Sequence, residues 1–364
     1  MKTKHICFYL SDHGFGHIAR NLPIIYRLLE HPEVRLTVVC GERHNTFAKD
    51  TLSPEQLTRV TFRSEHTDIG WILQEGTLLV DDQKMEVATK EFLENCPRRS
   101  QAEAQWLVEN QVDVAVCDMP IWSIETCRLA GVPLQYFGNF TWAELYREHL
   151  PEKIWNAYAK EYRKLQHVML YALHDQEMLE FLGDASDIQE VSVQCRPFDR
   201  CAARQIREKH KKPLVFVALG MSASFKKEIN VEQLPYDFIV NDGVPLSGSN
   251  VIRLDWSVKN TQDYVLASDY VISKAGWGTI AEALLARKPM ALFARDTVLE
   301  DRTSIAILES QKLAVRIEEN ELEEIPSVIE RMKKLSEEGF AKYHDSSEEI
   351  AKQILSLTEG ERKQ

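Results

Sequence analysis

The chain has 364 residues, 44 % of them apolar, enough for two cores of ordinary size. Lys plus Arg is 44 against 56 Asp plus Glu, a net charge of −12, with an isoelectric point near 5.5. That balance argues against a partner that is nucleic acid or an anionic membrane surface. With only 15 Gly and 13 Pro, neither a collagen-like nor a low-complexity chain fits.

The first apolar run, Ile6 to Leu10, is too short for a leader core, and no stretch approaches the ~20 apolar residues of a membrane span. The expectation is a cytoplasmic protein with no integral membrane segment. The seven cysteines are odd in number and form no Cys-x-x-Cys pair, which points to reduced thiols rather than a zinc site or disulfide framework.

In chain order, the pattern predicts a strand over His5–Leu10, a helix carrying Ile18, Leu22, Ile25 and Leu29 at helical spacing, and a strand over Val34–Cys40. Further strands are expected at 58–63, 112–117, 132–137 and 168–173, with helices at 84–110, 121–130 (stopped by Gly131) and 151–165. Residues 196–212 are basic, break the pattern and read as a linker. A second block then sets strands at 214–219, 236–240, 251–254, 270–272 and 290–293 among helices at 262–267 and 279–286. The fold class is α/β, with two Rossmann-like parallel-sheet domains facing a cleft. Ligands of such sheets bind at the carboxyl ends of the strands.

Three loops fall at those ends. Ser11-Asp12-His13-Gly14-Phe15-Gly16-His17 joins the first strand to the first helix. Gly14 and Gly16 let backbone approach a ligand, the helix N-terminus favours negative charge, and His17 brings a titratable ring. Gly14-x-Gly16-x-x-Ala19 with Glu42 beyond the second strand also satisfies a permissive dinucleotide pattern, and a plain tight turn satisfies it equally. Asp118 ends the strand at 112–117, placed either to hold a histidine Nδ1–H or to cap the next helix. The third loop, Ser273 to Glu282, repeats the strand, glycine turn and helix. Gly276, Gly278 and Thr279 form its anion-binding turn, with Glu282 one turn into the helix.

Residues 271–301 (VISKAGWGTIAEALLARKPMALFARDTVLED), 11–20 (SDHGFGHIAR) and 113–142 (DVAVCDMPIWSIETCRLAGVPLQYFGNFTW) together resemble a GT-B glycosyltransferase. The likeness is to the glycosyltransferase-like N-terminal region of L-arabinokinases, and more distantly to the lipid II N-acetylglucosaminyltransferase. The resemblance implies a nucleotide-sugar held by the C-terminal domain and an acceptor held by the N-terminal one. It places the ribose-binding glutamate on Glu282, the phosphate turn on Gly276, Gly278 and Thr279, and a second phosphate loop on Gly220 and Ser222. The donor-sugar grip falls on Glu300 and Asp301, the nucleobase near Leu254-Asp255-Trp256, the general base on His17 and its orienting carboxylate on Asp118. Many relatives carry proline three residues after the histidine. This chain carries Arg20 there, with Pro23 beyond it.

The resulting expectation is an inverting, metal-independent hexosyl- or N-acetylhexosaminyltransferase that needs no cofactor and takes a UDP-sugar as donor and a small-molecule or glycan hydroxyl as acceptor. Gly14 and Gly16 line its substrate site. The alternatives are a nucleotide-sugar hydrolase on the same fold, a dinucleotide-dependent oxidoreductase and a non-catalytic nucleotide-sugar sensor. The domains are expected at 1–195 and 213–340, with residues 341–364 forming a helix that returns to the N-terminal domain through Ile354 and Leu355.

Overall fold

The computed structural model describes residues 2–75, 79–183, 185, 187–219, 228–255, 257–293, 295 and 297–359. Gly220, Met221, Ser222, Ala223 and Trp256 lie outside the described residues. The chain divides into two units. One takes in Met1–Gln74, Val80–Ser192 and Ser346–Gln364, the other Glu75–Leu79 and Val193–Asp345.

The first unit runs β1 (Lys4–Leu10), α1 (Gly16–Leu29), β2 (Val34–Cys40), α2 (Glu42–Thr51), α3 (Pro54–Leu57), β3 (Val60–Ser64), α4 (Asp82–Glu109), β4 (Val114–Asp118), α5 (Trp122–Ala130), β5 (Leu134–Gly138), α6 (Trp142–Tyr146), α7 (Glu152–Tyr162), β6 (His167–Tyr171), α8 (Leu179–Leu182) and β7 (Asp187–Val191). All strand pairs are parallel, in the order β3-β2-β1-β4-β5-β6-β7. Ile6 to Leu10 and Val114 to Asp118 are all fully buried, as central strands covered on both faces require. The strand order reverses between β1 and β4, the switch point where such sheets open a crevice.

The four apolar positions of α1 expected to face inward, Ile18, Leu22, Ile25 and Leu29, are all buried. Glu42, the candidate ribose acid of a dinucleotide site, stands exposed in the first turn of α2. That helix was missed because its sequence, ERHNTFAKDT, is polar and has almost no apolar stripe.

The second unit runs α9 (Arg200–Glu208), β8 (Leu214–Ala218), β9 (Ile229–Asn230), β10 (Asp237–Asn241), β11 (Leu246–Ser247), β12 (Val251–Leu254), α10 (Thr261–Ala267), β13 (Tyr270–Lys274), α11 (Trp277–Leu285), β14 (Met290–Phe293), α12 (Leu299–Ser310), β15 (Ala314–Ile317) and α13 (Ile325–Met332). Its main sheet is parallel throughout, in the order β12-β10-β8-β13-β14-β15, with its own reversal between β8 and β13. Val215, Val217, Phe238, Ile272 and Ala291 build a core closed by Ile325 and Ile329 of α13. Residues 196–212, read as a linker, contain α9. Asp199 caps it by accepting from the N–H groups of Cys201 and Ala202, and the helix packs on α10. The high charge of the segment hid a helix that needs only Ala203 fully buried.

The last helix, α14 (Ser347–Leu357), belongs to the first unit and packs on α1, burying Ile350 and Ile354 while Leu355 stays partly exposed. Among the described residues no helix is long and apolar enough to cross a membrane. Ile354→Ala is expected to destabilise the protein by roughly 2–5 kcal/mol, the range for truncating a fully buried Ile. Urea unfolding followed by circular dichroism measures it, and Leu355→Ala should cost less.

Candidate active site

At the first switch point the backbone itself joins the two candidate loops. Leu10 pairs with Asp118 in register, and the Ser11 N–H donates to the Asp118 carbonyl at 3.0 Å. Gly14 turns the chain with φ +78°, a conformation that favours glycine. α1 then begins at Gly16 with no acid in its first turn. A Cβ at Gly14 or Gly16 would meet nothing within 4 Å, so space is open beside this turn.

His17, Arg20 and Asn21 share one face of α1 and converge on Asp118, which is 0 % exposed. His17 Nδ1 lies 2.9 Å from Oδ1, Arg20 Nε donates to Oδ2 at 2.7 Å, and Asn21 Nδ2 donates to Oδ2 at 2.6 Å. Arg20 Nη2 donates to Oδ1 as well, which makes the guanidinium contact bidentate. Burial pushes the Asp118 carboxyl up, yet the charges and hydrogen bonds of Arg20 and His17 hold it well below the usual carboxylate range. An ionised carboxylate only accepts, so His17 donates through Nδ1, and in the neutral ring the lone pair is then on Nε2. Nε2 has no hydrogen-bond partner among the described residues. The candidate dyad of His17 and Asp118 is therefore brought together. Arg20 and Asn21 were not foreseen as members, although polar residues three and four positions after His17 were the available signal.

An aromatic wall adjoins the histidine. Phe140 lies edge-on to His17 at 6.3 Å and to Trp142 at 5.5 Å, and Trp142 in turn meets Trp71 and His13. Gly70, at φ +63°, has no room for a Cβ, which would sit 2.0 Å from the His13 ring. Asp68 anchors this loop by accepting from Trp142 Nε1 and, at 3.1 Å, from the Ile69 N–H, and burial pushes its carboxyl up to about 7. In α6, Glu144 is 1 % exposed and accepts from the Thr141 N–H at 3.2 Å, and burial pushes it up to about 8. A raised folded pKa means that the folded state holds this proton more tightly. The contribution is thus fully present below about 4.5, the ordinary glutamate value, and is lost as pH rises through about 8. Glu144→Gln keeps the capping oxygen and cannot ionise. Melting curves from pH 5 to 9 are expected to show a smaller loss of stability with rising pH in the variant than in the parent.

In the second unit, β13 ends at Lys274 and the turn Ala275-Gly276 leads into α11, whose N-terminus has no acid in its first turn. A Cβ at Gly278 would meet nothing within 4 Å. The Lys274 ammonium has no hydrogen-bond or ion-pair partner among the described residues, while its carbonyl accepts from the Gly276 N–H and the Ser273 hydroxyl. Burial, with Arg295 nearby, holds its ammonium below the usual lysine value. Glu282 receives Arg196 Nη2 at 3.3 Å, and the same guanidinium reaches Thr261 Oγ1 at 3.2 Å and the Lys259 carbonyl. Burial raises the Glu282 carboxyl, opposed by Arg196. Asp301 departs from expectation. It is 0 % exposed, and its carboxylate is taken up by Arg295 through Nε and Nη2 at 2.8 Å each. It braces the β14–α12 connection and does not face solvent as a sugar grip must. Glu300 is partly exposed beside it, near enough to raise Lys274 electrostatically.

Residues 198–358 match the glycosyltransferase family 28 C-terminal domain. The whole chain superposes on a UDP-glucosyltransferase from Polygonum tinctorium with a TM-score of 0.64 at 12 % identity, covering 99 % of each chain. On the MurG of Acinetobacter baumannii the TM-score is 0.59 at 12 % identity, covering 97 % of this chain and 99 % of that one. This is the GT-B glycosyltransferase fold. In sequence the chain is similar to the L-arabinokinase of Arabidopsis thaliana, 24 % identical over 331 residues. That stretch is 82 % of this chain and only 29 % of the longer relative.

Proposed function

We propose that the GT-B chain is an inverting glycosyltransferase that moves a sugar from a nucleotide-sugar, a UDP-sugar first among the donors, to a hydroxyl on a small-molecule or glycan acceptor. The observation that carries this reading is His17, a buried imidazole held through Nδ1 by an ionised carboxylate, with Nε2 left unpartnered at a sheet switch point. The family 28 domain over residues 198–358 and the UDP-glucosyltransferase likeness support a nucleotide-sugar donor.

In this reading the acceptor hydroxyl attacks the anomeric carbon from the face opposite the diphosphate, and the centre inverts. The new C1–O bond forms as the C1–O bond to phosphate breaks, the departing nucleoside diphosphate keeps the electron pair, and His17 Nε2 takes the hydroxyl proton. General-base help of this kind is worth roughly 10²–10⁴-fold. Amides of Gly276, Gly278 and Thr279 and the Lys274 ammonium meet the charge that gathers on the diphosphate. Glu282 accepts from a ribose hydroxyl through the oxygen that Arg196 leaves free.

His17→Ala is expected to lower turnover by about 10²-fold or more while leaving donor affinity nearly unchanged. Glu282→Gln is expected to weaken nucleotide binding by roughly 1.5–3 kcal/mol, the range for a hydrogen bond to a charged group, read by calorimetry. A panel of UDP-, GDP-, CMP- and dTDP-sugars, scored by melting shift and by free sugar, finds the donor. Free sugar released at full rate with no acceptor present would replace transfer by hydrolysis, and a His17→Ala variant with normal turnover would remove the base.

A further inference from the structure

We infer that Arg20 is a positioning residue of the site: its guanidinium fork fixes the Asp118 carboxylate and thereby sets which nitrogen of His17 carries the proton. The inference deepens the reading of His17 as the base and rests on it for its catalytic meaning, although its structural content can be tested without turnover.

The geometry is specific. Arg20 is 3 % exposed and spends two N–H groups on Asp118, one on each oxygen. A third goes to Asn139 Oδ1 at 3.0 Å, just beyond the end of β5, and the guanidinium carbon stands 5.1 Å from the centre of the Tyr171 ring at the end of β6. One planar cation therefore spans the ends of β4, β5 and β6 from a helix that follows β1.

The consequence lies in how the acceptor positions are filled. Asp118 receives four N–H contacts, two at each oxygen: His17 and Arg20 at Oδ1, and Arg20 and Asn21 at Oδ2. A carboxylate offers about four lone-pair sites, so the set is complete. With the plane of the carboxylate held by a two-point fork, the Nδ1 direction of His17 is the position left for a donor. Neither a lysine, as a point charge, nor a single amide could fix that plane. The carboxylate has no site left to take a proton, so Asp118 orients the ring and does not relay the proton. Proline at this position would leave Asp118 with His17 and Asn21 alone.

The test uses full-length protein labelled with ¹⁵N in the histidine rings, the His17 signals being assigned by their loss in His17→Gln. At pH 8.5 the parent is expected to show a single His17 tautomer, protonated at Nδ1, with a slowly exchanging ring proton. Arg20→Lys keeps the charge and loses the fork. It is expected to fold, to show mixed His17 tautomers and faster exchange, to bind nucleotide as the parent does, and to lose tenfold or more in turnover wherever the donor panel gives a rate. A single unchanged tautomer in Arg20→Lys, or a parent ring protonated at Nε2, overturns the inference. Arg20→Gln, which can donate to only one oxygen, carries the same measurement should the lysine variant not fold. Failure of the transferase reading would leave the ring signals as expected and abolish only the rates.

Discussion

A carboxylate buried at the meeting of two strands governs the first unit. Asp118 has no exposure to solvent, and an ion that deep is tolerable only with opposite charge and a full set of hydrogen bonds. Arg20 supplies the charge, while Asn21 and His17 complete the set. Each partner lies on the first two turns of α1, so the need to satisfy one carboxylate fixes the rotation of that helix over the sheet. The apolar stripe of α1 serves the same rotation from its other positions, and α14 packs on the helix. The site and the core therefore demand the same orientation, the mutual consistency that singles out one fold.

The two units solve a related problem differently. In the first, an acid is neutralised by arginine and its hydrogen bonds hold a histidine. In the second, Glu282 is touched by Arg196 at one oxygen and keeps the other without a hydrogen-bond partner among the described residues. Asp301 is held by Arg295 through three N–H groups, its backbone amide, Nε and Nη2, and is fully buried. These three acids, two fully buried and Glu282 partly so, differ in how many of their lone pairs the protein consumes. That count, more than the presence of a charge, separates an acid that orients, an acid that can still bind and an acid that only braces.

Much of this was legible in the sequence. The parallel α/β character, the inward stripe of α1 and the strands before each glycine turn follow from hydrophobic periodicity and from fully apolar runs such as Val114–Cys117. His17 and Asp118 were legible as candidates because both loops fall at the carboxyl edge of one sheet, where a hydrogen bond between them is geometrically possible; that β1 and β4 are adjacent came from the structure. The short or polar elements were not: α2 has almost no apolar stripe, and α9 buries only one residue fully, Ala203. Arg20 was visible as an odd residue, but its role was not. A lone arginine on an amphipathic helix reads as solvated until the residue it faces is known to be a buried acid.

The contrast between Arg20 and Lys274 shows how the same kind of charge serves opposite ends. Arg20 has bidentate geometry, complete burial and a dedicated acid, which makes it a fixed strut whose charge is already used. Lys274 is a point charge beside a glycine turn, its ammonium held below the ordinary lysine pKa by burial and without a hydrogen bond or ion pair among the described residues. A cation in that state gains most when an anion arrives, because the cost of desolvating it has been met during folding and the compensating attraction has not yet been collected. Both residues follow from where the chain places its carboxylates. Asp118 sits opposite Arg20. Asp301, whose charge acts on Lys274, takes its hydrogen bonds from Arg295 instead.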